Sequence, residues 1–381
     1  MFNYIFFRDK SSFAPCTKKR RDLMHAVIMA GGRGTRFWPR SREKMPKHLL
    51  DIVSERTIIQ ETVDRIKPLI KPDNILIVTG KKHARELIKQ LPDIPVQNII
   101  IEPVGRNTAA CIGLAAVHIQ KKAKDDIMVV LPSDHAIGNP KKYRTVIAAA
   151  ARAARAKNAL VTIGIQPAGP HTGFGYLEGG TSEGRFGAEE VLHVASIREK
   201  PDLALARKFI KSGNFYWNSG MFIWKASTIL GEIEQYLPEL YSGLMTIRDS
   251  LGNAQETQTL SRVYRQLPSI SIDYGVMEKA KSVFVIPAEF GWSDVGSWDA
   301  LWDISKKDEK GNAIRGNAPV ILEDTSGALV YGTKKLVALV GVKDLIIVET
   351  KDALLICKRG QSQDVKKIVD ALEAKKIHQL L

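Results

Sequence analysis

The sequence predicts an α/β fold: a mixed, mostly parallel sheet with helices on both faces, followed by a small C-terminal β domain. Three observations carry this. Short apolar runs alternate with amphipathic segments from Met24 to Ile286, the pattern of strands joined by crossover helices. The first apolar run breaks into a glycine-rich loop. From Asn317 to Arg359 the apolar segments become short and closely spaced, and the helical pattern is lost. The expected organisation is an extension over residues 1–22, a main domain over 23–305, and a small β domain with a closing helix over 306–381.

The elements follow in order. His25–Ala30 is a buried central strand, apolar without alternation. Thr57-Ile58-Ile59-Gln60 has the spacing of a capping box, and Ile58, Ile59, Val63, Ile66 and Leu69 continue it at helical period. Ile75–Thr79, Gln97–Ile101, Asp126–Leu131, Leu160–Ile165, Val191–Ile197 and Val283–Ile286 read as strands. Lys82–Leu91, Asn107–Lys124 and Lys141–Lys157 read as helices, the last carrying an alanine run suited to close packing on a sheet. Another helix is expected from Pro201, and more from Ser227 to Leu237 and on through Arg265. In the tail, VILEDT, ALVYGT, LVALVGV, LIIVET and ALLICKR are strands, and Gln363–Leu380 is a closing amphipathic helix.

Composition narrows the function. The chain has 381 residues and a net charge of +15. Such charge suits nucleic acid or phosphorylated small molecules. The basic residues are spread along the chain without a nucleic-acid motif, so no nucleic-acid partner is expected. Cys16, Cys111 and Cys357 are far apart and match no metal spacing, which argues for a reducing, cytoplasmic setting. No apolar run approaches the roughly 20 residues that span a bilayer, so no membrane partner is expected. Residues 1–22 lack the layout of a signal peptide and are expected to be disordered, with Met24 an alternative start.

The loop after the first strand is Gly31-Gly32-Arg33-Gly34, followed by Arg36, Arg40, Arg42, Lys44 and Lys47. Bare backbone amides beside cations suit a polyphosphate. The loop is neither a P-loop, because no Gly-Lys-Ser/Thr follows, nor the dinucleotide fingerprint, because Phe37 stands where the third glycine belongs. In open α/β sheets ligands sit beyond the carboxyl ends of the strands. The residues just after each strand are therefore the candidates.

The string G-G-x-G-T-R-x-W-P-x-S-R-x-x-x-P-K, from Gly31 to Lys47, resembles the signature of the sugar-nucleotide pyrophosphorylases, and its Trp38-Pro39 and Ser41-Arg42-Glu43 resemble the mannose-1-phosphate guanylyltransferase branch. The resemblance implies a Rossmann-like nucleotidyltransferase sheet over 23–305 and a left-handed β-helical tail that stabilises the fold or forms a homodimer. Some relatives append an isomerase domain, for which this chain ends too early. The implied substrates are GTP and mannose 1-phosphate, with Mg²⁺ as cofactor.

Within that frame Arg36 and Lys47 would bind the triphosphate, together with the amides of Gly31, Gly32 and Gly34. Glu102 follows a strand; a carboxylate can accept N1–H and N2–H₂ of guanine side by side, whereas uracil and thymine offer one N–H between two carbonyls. Arg106 and Asn107 would be its neighbours, and Asn107 can also cap the next helix. Asp134 follows another strand, and Asp294 lies amid apolar residues where a lone carboxylate needs a partner. The resemblance makes these two the Mg²⁺ ligands; His135 is read as structural, since hard Mg²⁺ prefers oxygen. Gly173 and Tyr176, Glu199 and Lys200, and Asn218 would line the sugar and sugar-phosphate end. Asp273 is expected to orient a neighbour. Alternatives are a relative using UTP or dTTP with glucose 1-phosphate, or a non-catalytic regulatory homologue.

Overall fold

The computed structural model describes residues 23–122 and 125–381. The expected extension over 1–22, its Cys16 and the question of an alternative start lie outside the described residues. The main sheet is built from β1 (Met24–Ala30), β2 (Ile75–Gly80), β3 (Ile99–Glu102) and β4 (Ile127–Pro132), with the short β5 (Ala136–Ile137) off its end. It continues with β6 (Leu160–Ile165), β7 (Gly175–Phe186), β8 (Glu189–Glu199), β9 (Phe215–Lys225) and β10 (Val283–Ala288), and β11 (Trp292–Ser293) pairs with β5. The strand order is β3-β2-β1-β4-β9-β6-β10-β8-β7. All except β8 and β9 point one way, so the sheet is mixed and mostly parallel. The strand expected over Val191–Ile197 is β8, but its hairpin partner β7 is not among the expected strands, because the exposed second half of β7 lacks an apolar run.

The helices are α1 (Ile58–Ile66), α2 (Lys81–Gln90), α3 (Asn107–Lys122), α4 (Pro140–Lys157), α5 (Leu203–Ser212), α6 (Ala226–Tyr236), α7 (Pro238–Ser250), α8 (Glu256–Tyr264), α9 (Trp298–Ile304) and α10 (Val365–Ala374). The capping box at Thr57 and Gln60 is present. The helix expected at Pro201 begins instead at Leu203, because the Asp202 carboxylate accepts from Leu205 N at 2.8 Å and caps it there. Each face of the sheet has its own core. Ile59, Val63, Ile66 and the alanines of α4 cover one face. The alanines of α3, with Ile229, Leu244 and Tyr264, cover the other. No helix among the described residues is long and apolar enough to cross a membrane.

The tail forms β12 (Ala313–Gly316), β13 (Val320–Glu323), β14 (Leu329–Gly332), β15 (Val337–Val340), β16 (Leu345–Glu349) and β17 (Leu354–Lys358). Ala313 pairs in parallel beside Leu329, Leu329 beside Ile346, and Val320 beside Val337. One coil thus stacks on the next, which is β-helix-like. The tail is not a separate bead. Ala313, Leu329 and Ile346 share one core with Phe37 and Trp38 of the glycine loop, Trp298 of α9 and Val365 of α10. The closing helix is shorter than expected: α10 stops at Ala374, and a separate turn follows at His378–Leu380.

Candidate active site

The ends of β1, β3 and β4 and the middle of β9 border a cavity of about 520 Å³. Gly31 and Gly32 line it beside Glu102, Arg106 and Asn107, while Gly173, Glu199, Lys200 and Asn218 line the rest. A second cavity of about 390 Å³ adjoins it through His135 and Asp294. There Gly34, Arg36, Lys47 and Asp134 converge. Residues expected at the site from distant parts of the sequence are therefore brought together, with Asp134 and Asp294 facing one cavity.

Lys47 organises this second cavity. Its ammonium donates to Asp134 Oδ2 at 2.9 Å and to the backbone carbonyl of Asp294 at 2.6 Å. The lysine is only 5% exposed. Burial opposes ionisation of Asp134, but the Lys47 ammonium, with His135 and His48 nearby, outweighs it and holds the carboxyl down at about 2. Asp294 accepts from Gly296 N through Oδ1 at 3.1 Å, which orients its carboxylate. Arg36 is exposed on the same rim. Gly34 has φ +62°, and a Cβ there would lie 2.6 Å from Lys47 Cβ. Its main effect is thus to let Lys47 close, beyond offering an amide. Burial pushes His135 down to about 4, so its neutral ring accepts from Trp292 Nε1 at 3.1 Å.

At the other end, Tyr264 donates its hydroxyl to Glu102 Oε1 and fixes the carboxylate. Burial raises the Glu102 pKa, and the Tyr264 hydrogen bond only partly offsets this. The Arg106 guanidinium donates to the carbonyl of Arg265. Asn107 does not cap α3 in the usual way: it sits at φ +63° and its Oδ1 accepts only from the adjacent Thr108 N, at 2.8 Å. Glu199 ends β8 and Lys200 follows it. Burial and the neighbouring Asp273 raise the Glu199 pKa, and Glu199 Oε2 is buried without a hydrogen-bond partner among the described residues. Asn218 Nδ2 donates to Asp273 Oδ1 at 2.8 Å, so Asp273 does orient a neighbour.

Tyr176 is a correction. It is 0% exposed and lies below the cavity wall rather than on it. Its ring packs on Phe209, and its hydroxyl accepts from His171 N and donates to His171 O, both at 3.0 Å. Alternation along β7 turns Tyr176 inward while its neighbour Gly175 borders the cavity, and Phe174 lines the cavity from the turn that precedes the strand. Sequence reading missed Phe174 and Trp292, whose rings lie 5.3 Å apart and form an apolar wall. Their signal was the glycine on each side of Phe174 and the nearness of Trp292 to Asp294. It also missed Tyr264, whose helical segment gives no hint of a contact with Glu102.

Comparison with known proteins fits this geometry. The family model for nucleotidyl transferases matches residues 25–311, and the model for the mannose-phosphate isomerase/GMP-like β-helix domain matches residues 318–372. A mannose-1-phosphate guanylyltransferase from Klebsiella pneumoniae is 39% identical over 92% of this chain and 74% of its own length. The alginate biosynthesis protein AlgA of Pseudomonas aeruginosa is 37% identical over 92% of this chain and 72% of its own length. A solved structure from Thermus thermophilus, titled a mannose-1-phosphate geranyltransferase, superposes with a TM-score of 0.83 at 33% identity, over 92% of this chain and 99% of that one. On these matches, together with the glycine loop, the two aspartates and the β-helix-like tail, the chain belongs to the nucleotidyl transferase family, in its mannose-1-phosphate guanylyltransferase branch.

Proposed function

We propose that this chain makes GDP-mannose and pyrophosphate from GTP and mannose 1-phosphate. The observation that carries the reading is the junction of Lys47, Asp134 and Asp294 beside the glycine loop. An oxygen of the sugar phosphate attacks the α-phosphorus of GTP, the bond from that phosphorus to the bridging oxygen breaks, and pyrophosphate leaves. The nucleophile is already anionic, so no general base is needed. The obstacle is bringing two polyanions together, which calls for positioning and charge neutralisation.

The Gly31 and Gly32 amides, Arg36 and Lys47 take the triphosphate. Glu102, steadied by Tyr264, accepts from the guanine edge, with Arg106 and Asn107 beside it. Lys200 takes the sugar phosphate, while Glu199 and Asn218 meet hexose hydroxyls at a wall that includes Gly173. The orphaned Glu199 Oε2 suits a hydroxyl donor. Asp134 and Asp294 fit Mg²⁺: both offer hard oxygens, and Asp134 stays ionised at neutral pH. When bound, Mg²⁺ would neutralise phosphate charge and act as a Lewis acid.

The setting proposed is the cytoplasm. Ile321, Val340 and Leu354 lie exposed on the tail and support a homodimer through that domain, which sedimentation would test. The deciding experiment for function is pyrophosphate release by the purified protein alone. It is run with GTP, ATP, UTP and dTTP against mannose and glucose 1-phosphates. Highest kcat/KM with GTP and mannose 1-phosphate is expected. Preference for UTP or dTTP with glucose 1-phosphate, or no release at all, would overturn the reading.

A further inference from the structure

The cavity that holds Lys47 and the two aspartates is also lined by a residue from the far end of the chain. Lys366, in the first turn of α10, lines it with Arg36, Lys47, Asp134 and Asp294. Nothing in the sequence places a tail lysine there, and the neighbouring Lys367 is turned away to pair with Asp364 at 2.8 Å. Lys366 is exposed and has no ion-pair partner among the described residues.

The helix that carries it is fixed in place at both ends. Val365 and Val369 are buried in one cluster with Phe37, Trp38 and Trp298. Trp38 Nε1 donates to the carbonyl of Leu380 at 2.8 Å, and the Arg42 guanidinium donates to the same carbonyl while pairing with Asp352 at 2.9 Å. At the start of the helix, the Asp299 carboxylate accepts from Gly360 N at 2.6 Å and from Ser362 N at 3.1 Å. Arg33 of the glycine loop pairs with Glu373 at 2.8 Å, an exposed contact worth little energy but consistent with the register. The lysine is thus held at the rim by packing, with only its own side chain free to move.

We propose that Lys366 binds the β- and γ-phosphates of the nucleoside triphosphate, and so the departing pyrophosphate, making the β-helix-like tail part of the active site. The proposal rests on the function proposed above. The larger cavity holds both the candidate base contact, Glu102, and the candidate sugar-phosphate contact, Lys200. The α-phosphate must lie near Asp294, which borders both cavities. The smaller cavity is then the space left for the leaving group. Its walls offer three cations, Arg36, Lys47 and Lys366. Lys47 shares its charge with Asp134, so Arg36 and Lys366 supply the rest of the positive charge that the leaving group meets.

The test compares wild type with Lys366→Ala, Lys366→Glu and Lys366→Arg. Loss of one charge-assisted contact should weaken pyrophosphate binding about tenfold in the alanine variant, and further in the glutamate variant. KM for GTP should rise in parallel, KM for mannose 1-phosphate should stay within about twofold, and arginine should restore most of the loss. Melting temperature should not move, because the side chain is exposed. Pyrophosphate binding is read directly by titration calorimetry in the presence of Mg²⁺, so it decides the role of Lys366 even if the wild type turns over no substrate, a result that would sink only the proposed reaction. Unchanged pyrophosphate affinity in Lys366→Glu, or an equal rise in KM for both substrates, would overturn the proposal.

Discussion

Lys47 and Asp134 meet at 2.9 Å although 87 positions separate them in the chain, and the same ammonium reaches the backbone carbonyl of Asp294 at 2.6 Å. One cation therefore ties the loop after β1, the end of β4 and the segment after β11 into a single wall. A buried lysine so placed offsets the charge of a carboxylate and keeps positive potential where phosphates arrive.

Replacing Lys47 by alanine should lower kcat roughly 100- to 1,000-fold, the range seen when a preorganised charge at a reacting centre is removed. KM values should change much less. Lys47→Arg should not restore the rate, since a planar fork cannot make the same two contacts in a closed space. Steady-state kinetics checks both variants, and a kcat within about threefold of wild type in the alanine variant would exclude the assigned role.

Gly34→Ala tests how the glycine loop acts. The residue has φ +62°, and a Cβ would fall 2.6 Å from Lys47 Cβ and 3.1 Å from its backbone nitrogen. Only glycine fits so close an approach. The substitution should displace Lys47 and cost activity as much as Lys47→Ala does, whereas Gly31→Ala meets nothing within 4 Å and should cost less. Comparing kcat of the two alanine variants checks the ranking.

The parts of the site that were legible in the sequence have two sources. Gly31, Glu102 and Asp134 stand at or just after strand ends, which apolar runs identify in an α/β sheet, whereas Lys47 and Asp294 were reached through the resemblance of their surrounding residues to a known family. Tyr176 was misplaced because T-G-F-G-Y does not say which aromatic faces the cavity; that depends on where the turn ends and β7 begins, which leaves Phe174 in the turn and Tyr176 inside the strand. Tyr264 and Lys366 were out of reach for another reason. Each comes from an amphipathic helix whose pattern shows which face is buried, but not which distant carboxylate or cavity lies beside it.

Tyr176→Phe follows from that correction. The hydroxyl bridges the two backbone polar groups of His171 and has no cavity face. Removing it should lower stability by about 1 kcal/mol, seen as a reduced melting temperature. KM for mannose 1-phosphate should change by less than about threefold. A large rise in KM with unchanged stability would return Tyr176 to the sugar contacts.

Asp273 is a positioning residue, acting through Asn218. With one amide hydrogen committed to Asp273 and Asn218 Oδ1 accepting from Gly220 N at 3.1 Å, the amide has a single orientation. Asp273→Ala should let it rotate and raise KM for mannose 1-phosphate roughly three- to tenfold, the worth of one hydrogen bond. KM for GTP should stay put. Equal effects on both substrates would point to a general loss of structure.

Glu102 should make nucleotide affinity and stability depend on pH with opposite signs. Burial raises its pKa, and the Tyr264 hydroxyl opposes this only in part. A carboxyl whose pKa is higher folded than unfolded contributes stability at low pH and loses it as pH rises through the folded value. The free protein should therefore lose stability across a window that begins near the usual glutamate value of about 4.3 and extends above it. Guanine recognition needs the ionised form, so affinity for GTP should rise over that same window as the proton leaves. Glu102→Gln should flatten both profiles. It should also cut the preference for GTP over ATP about tenfold or more, because an amide presents a donor where guanine also presents one. Titrations of both proteins with GTP and ATP across pH check the sign, and a GTP affinity that falls with rising pH would remove Glu102 from the base contacts.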